Sequence, residues 1–184
     1  MPTFNCDFFE AGNDIIPLIN QGDANTDITG DWVKLRDYDR AVLLIAKYGT
    51  EDVDTLGFQV YQATDASGTS AKGVSALFPY RYKQGTLTSQ TVWTAGQLTT
   101  ADDILGVGSA APTGGTLIVA SDTDTSAFLL AISVQASDLD IANGFDWLTV
   151  NVEGDEVNNS VLISAWAILS GGRFPQKVPL SAIS

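Results

Sequence analysis

The hydrophobic residues of this chain come in short runs rich in β-branched and aromatic types, each fenced by Gly, Asp, Asn or Ser, a pattern that suits strands far better than helices. Five runs carry it most clearly: "RAVLLIAKY" (40–48), "LGFQVYQA" (56–63), "SAFLLAISVQ" (126–135), "DWLTVNV" (146–152) and "VLISAWAIL" (161–169). Weaker ones are "DWVKL" (31–35), "QTVWTA" (90–95) and "GTLIVAS" (115–121), and turn-rich stretches such as "ATDASGTSAKG" and "VEGDEVNNS" lie between. Side chains alternate across a strand, so residue order says which face is dry. In the second run Leu56, Phe58 and Val60 share one face, opposite Gly57, Gln59 and Tyr61. In the fourth, Leu148, Val150 and Val152 form a stripe opposite Trp147, Thr149 and Asn151. One dry and one wetter face is what a sandwich asks of its strands.

The runs at 40–48 and 161–169 depart from this, being apolar on both faces. They are either central strands covered on both sides or strands whose second face meets another subunit. The number and spacing of the runs predict an all-β fold, an antiparallel β-sandwich of jelly-roll-like form, rather than any α/β design. Residues 96–115, "GQLTTADDILGVGSAAPTGG", keep no steady period beyond a short helical turn near 100–105 and read as a flexible loop. No internal repeat interrupts the chain. The expected layout is an N-terminal arm or first strand over 1–30, the sandwich over 31–170 and a C-terminal arm over 171–184.

At 184 residues and 45% hydrophobic content, the chain suits one domain with a real core. Its 22 acidic and 9 basic side chains give a net charge of −13, which argues against nucleic-acid backbones and anionic membrane surfaces. The single cysteine, Cys6, excludes an intramolecular disulfide and any Cys-rich zinc site. "MPTFNCDFFEAG" has no basic region followed by an apolar run, and no window approaches the ~20 apolar residues that span a bilayer. The expectation is a soluble protein made without secretion.

Residues suited to catalysis are scarce. With no histidine, the chain has no Ser-His-Asp or Cys-His arrangement and no histidine metal motif. "GVGSAA" (106–111) fits the dinucleotide fingerprint in letters only, since a Thr/Asp-rich turn precedes it and "PTGG" follows where a helix must start. "DANTDITGD" (23–31) places Asp23, Asn25 and Asp27 like a calcium loop, but Ile28 and Lys34 stand where an EF-hand needs Gly and Glu. "SDTDTS" and "SDLD" are further acidic turns, whose side chains ordinarily bond their own backbone. No cofactor is expected; a weak, non-EF Ca²⁺ site at one of these Asp-rich loops is the only cation reading left. No carboxylate pair stands out as a glycosidase dyad, and the sequon at Asn158 matters only on secretion. Trp93, Tyr80 and Tyr82 are of a type that stacks on sugars, yet such rings more often fill a core. The chain therefore reads as no enzyme.

Three stretches resemble a virion protein type of tailed bacteriophages. "GDWVKLRDYDRAVLLIAKYGTEDVDTLGFQVYQATDASGTSAKGV" is similar to its front half, where a strand leads to a "q-A-t-D-a-s-G-t-x-A-k" turn. "ASDLDIANGFDWLTVNV" resembles its "LD-x-x-nGF" segment, and "ILSGGRFPQKVP" its closing Arg-aromatic-Pro-Gln signature. The resemblance implies a phage head structural protein of the decoration (cement) type. It also implies a β-sandwich on the outer surface of the capsid, with the major capsid protein and neighbouring copies of itself as partners, in a homo-oligomer. A carbohydrate-binding module aiding host adsorption is the alternative from another class.

The two ends suggest how such a protein would attach. No Asp or Glu follows Glu156, while Arg173 and Lys177 make the tail locally positive and its prolines hold it extended. Arg173, Phe174 and Lys177 are expected to anchor this arm on an acidic surface, or else to fold back and cap the sandwich. Phe4, Phe8 and Phe9 form an apolar cluster before the first clear strand and are expected to pack on a partner.

Overall fold

The structure is a computed structural model, and it describes residues 13–23, 26–48, 57–74, 78–84, 94–97, 104–105, 116–119, 127–153 and 161–172. Two sheets pack face to face. The first has six strands: β1 (Asp14–Asp23), β4 (Arg40–Tyr48), β7 (Pro79–Gln84), β8 (Thr94–Gln97), β11 (Phe128–Gln135) and β13 (Leu162–Ser170). They lie in the order β1-β13-β4-β11-β7-β8, every pair antiparallel.

The second sheet runs β2 (Ile28–Thr29), β12 (Trp147–Glu153), β5 (Gly57–Ala63), β10 (Thr116–Val119) and β9 (Ile104–Leu105). β3 (Val33–Lys34) also pairs with β12, and β6 (Lys72–Gly73) with β5. All its ladders are antiparallel except β9 with β10. The antiparallel sandwich is therefore the fold, as expected; jelly-roll wiring is a finer statement that this strand order does not establish.

Alternation builds the core. Leu43 and Ile45 of β4, Ile163, Ala165, Ala167 and Leu169 of β13, and Leu148, Val150 and Val152 of β12 are all fully buried at 0% exposure. Phe58 of β5 meets Phe128 of β11 edge to face, with centroids 5.7 Å apart and planes at 86°, which ties one sheet to the other. Lys47 holds an inward position of β4 and is itself buried and partnered. Tyr80 lies in the core and Tyr82 packs against it, so neither is a sugar platform.

Several expectations need correction. Ile104–Leu105 is a strand in parallel register with β10, not part of a helical turn, because its ladder comes from a neighbour in space. The run at 31–35 forms strand only at Val33–Lys34, and the run at 90–95 is described only from Thr94, in β8, with Trp93 outside the described residues. The wetter face of β12 is drier than its residue types suggest, with Thr149 at 0% and Asn151 at 8% exposure.

β1 forms an edge of the six-stranded sheet. Its register on β13 slips between Pro17 and Ile19 and again before Gly22, so Leu18 and Ile19 are both buried in succession. A proline and bulges blunt an edge against strand-to-strand pairing.

Candidate interaction surfaces

The two sheets present very different outer faces. On the six-stranded sheet the registers line up three rows of outward residues. One reads Ile15, Ile168, Val42, Ser133 from β1 to β11. The next reads Pro17, Trp166, Leu44, Ala131. The third reads Ser164, Ala46, Leu129, of which Ser164 and Ala46 are buried. None of these carries a charge.

Val42, Leu44, Leu129, Ala131, Trp166 and Ile168 stay partly exposed, while their inward neighbours are almost wholly buried. Among the described residues, Ile15 at 46% and Tyr48 at 44% are the large apolar side chains most open to water. The cause is local: β4 and β13 are apolar at odd and even positions alike, so burying one set in the core leaves the other outside.

Among the described residues of this face, charge stands around the block. Arg40 bonds Ser170 across one end, with the Arg40 Nε donating to Ser170 Oγ at 2.8 Å. Arg81 and Lys83 of β7 continue the second and third rows. Asp23 lies at the other end of β1, opposite Leu162.

Among the described residues, the outer face of the second sheet around β12 and β5 is polar, with side chains bonded to one another and to backbone. Thr29 Oγ1 donates to Asn151 Oδ1 at 2.8 Å, Gln59 Nε2 to Glu153 Oε1 at 2.8 Å, and Thr149 Oγ1 to the Asp31 carbonyl at 3.0 Å. Burial, then the charge of Asp27, pushes the Glu153 carboxyl up. Burial also raises the Tyr61 phenol, with Glu153 and Asp27 adding to it. Tyr61 and Trp147 are the half-buried rings of this face, in the register rows of Thr149 and Ala63.

Two of the three sequence stretches that carry the phage resemblance meet in space. The Lys72 ammonium reaches Asp140 Oδ2 at 2.8 Å and stands 3.8 Å from the Phe145 ring centroid. The Asp140 amide donates to Gln62 Oε1 at 2.8 Å, and Asn143 Nδ2 to Asp140 Oδ1 at 2.8 Å. These bonds hold the Asp140 carboxyl below its ordinary range, the Lys72 bond most of all.

Asp65 Oδ1 accepts the Ser67 and Thr69 amides, and bonds to Thr69 above all lower its carboxyl in the same way. Asp138 Oδ2 accepts the Gln135 amide at 2.8 Å. The acidic turns do turn chemistry.

The expected anchors Phe4, Phe8, Phe9, Arg173, Phe174 and Lys177 all lie outside the described residues, as do Cys6 and two members of the loop 23–31. Among the described residues no three carboxylates or other ligating side chains gather as a metal site. No helix there is long and apolar enough to cross a membrane. The outward rows of β4 and β13 were visible in the sequence only as two-sided runs. Which positions face out, and beside what, follows from the register. In comparisons with known proteins, no family model and no curated sequence matches this chain.

Proposed function

We propose that this chain is a non-enzymatic structural subunit of a phage virion, a decoration protein that stabilises the capsid from outside through subunit–subunit contacts. The observation that carries the reading is the uncharged apolar exterior of the six-stranded sheet on a molecule of net charge −13. An apolar patch rimmed by charge is characteristic of a surface built for association. The three motif stretches supply the virion context, and the basic tail supplies a second contact toward an acidic neighbour.

The test is co-sedimentation with mature, undecorated phage shells, using the full chain and a version cut after Ser170. Saturable binding by the full chain is expected. Binding lost on truncation assigns the tail as anchor, and no binding by a folded full chain overturns the decoration reading.

A second reading, a glycan-binding module, is favoured by Tyr61 and Trp147 sharing one polar sheet face. Against it, the amide and hydroxyl groups around them are already bonded to one another. Glycan-array binding abolished by Trp147→Ala would establish it.

A further inference from the structure

We infer that residues 1–12 fold back over the apolar outer face of the six-stranded sheet of the same copy and cover it. The inference goes beyond the virion reading: it concerns the free chain, whatever partner later takes the segment's place.

Face and segment match in kind. Ile15, Val42, Leu44, Leu129, Trp166 and Ile168 stand at least partly open to water on one side of the sheet. The segment carries Phe4, Phe8 and Phe9 close together. Alternation puts Phe4, Cys6 and Phe8 on one side of it when extended.

The segment also enters at the right place. The first described residue, Asn13, leads into β1, the edge strand whose Ile15 opens the outward rows. Ala11 and Gly12 come just before it, small residues suited to a reversal at that edge. From β1 to β11 is three strand spacings of about 4.8 Å, and from the row of Ile15 to that of Leu129 two steps of about 6.8 Å, so an oblique crossing takes roughly 20 Å. Residues 4–12, extended, reach about 30 Å.

Charge selects this segment over the C-terminal one, which leaves the same end of the sheet after Ser170. The uncharged rows are bordered by Arg40, Arg81 and Lys83, with Asp23 at the far end of β1. Residues 1–12 carry Asp7 and Glu10 and no basic side chain, whereas residues 173–184 carry Arg173 and Lys177 and no acidic one. The acidic segment is drawn to this border and the basic tail is turned away from it.

The tether favours the same outcome. A separate acidic molecule must overcome repulsion from a chain carrying −13. A segment joined to the edge of the face meets it at an effective concentration on the order of a millimolar, so a contact too weak to hold a free molecule keeps the face covered.

Cys6, the only cysteine, reports the contact from within the segment. The test is the rate at which dithiobis(nitrobenzoate) modifies it in the full chain, against a peptide of residues 1–12. The full chain is expected to react about ten- to thirtyfold more slowly, at a rate independent of protein concentration. Leu44→Asp and Trp166→Asp, checked by circular dichroism as folded, are each expected to bring the rate within about threefold of the peptide's. Arg81→Glu, at an exposed border position that leaves the fold intact, is expected to raise it about threefold.

A full chain that reacts as fast as the peptide overturns the inference. So does protection that deepens with protein concentration, the mark of another copy. Protection that none of these variants relieves overturns it too, because the segment is then held elsewhere. Shell co-sedimentation is scored separately: a protected Cys6 on a chain that ignores shells overturns decoration alone, and a freely reactive Cys6 on a chain that binds them overturns this cover alone.

Discussion

Gly68 and Glu153 show how single residues set the tolerances of this sandwich. Gly68 has φ +76°, in the left-handed region, and a Cβ there would stand 2.7 Å from Trp32 Nε1. Backbone and indole both exclude a side chain, so Gly68→Ala is expected to cost about 1–3 kcal/mol, read from urea denaturation. Glu153 runs the other way. Its folded carboxyl holds a proton more tightly than an unfolded glutamate, so stability is lost as pH rises from the ordinary value of 4.5 through the higher folded value. Glu153→Gln is therefore expected to raise the melting temperature at neutral pH. The gain should vanish as pH falls below about 4.5, the ordinary glutamate value. Asp140 and Asp65 carry the opposite sign, stabilising above the ordinary aspartate value of 3.8 and losing that as pH falls through their lower folded values.

At the scale of elements, neighbours in one strand should part company. Leu43 points into the core and Leu44 to the outer face. Leu43→Ala is expected to cost about 2–5 kcal/mol of folding stability, and Leu44→Ser less than ~1, in the same urea titration at concentrations where the chain is monomeric. This contrast also marks how far the sequence could be read. β4, β11, β12 and β13 were legible because each is a run of seven or more residues, rich in strand-forming types and uninterrupted by glycine or proline. β1 was not cleanly legible, since its bulge places Leu18 and Ile19 in the core together and breaks the period of two. β7, "PYRYKQ", was missed because it opens on proline and alternates tyrosines with charges, which resembles a loop. β9 is two residues long and exists only through β10. The apolar outer face was half legible: two-sided apolar runs gave it away, but the row of Pro17, Trp166, Leu44 and Ala131 joins residues that only the ladders bring side by side.

For the whole molecule, charge is the governing quantity. Between copies of net charge −13, repulsion acts over roughly a Debye length, about 10 Å at 0.1 M salt. On the proposed subunit–subunit reading, association of like copies through an uncharged face should therefore tighten as salt rises from low to high, measured by sedimentation equilibrium; loosening would mean that ion pairs between copies outweigh the global field. Strand order has a mechanical side as well. The described chain begins β1 at Asp14 directly opposite Leu169, near the end of β13, so entry and exit lie at one end of two adjacent antiparallel strands. Tension applied at Asn13 and Gly172 would open that ladder one rung at a time, starting with Asp14 and Leu169, instead of loading all rungs in shear. In an optical trap, handles attached at these two residues should peel β1 away at low force. In the proposed role, a shell swollen by its contents would be better restrained by subunits gripped across their sheets than by subunits strung together through their tails.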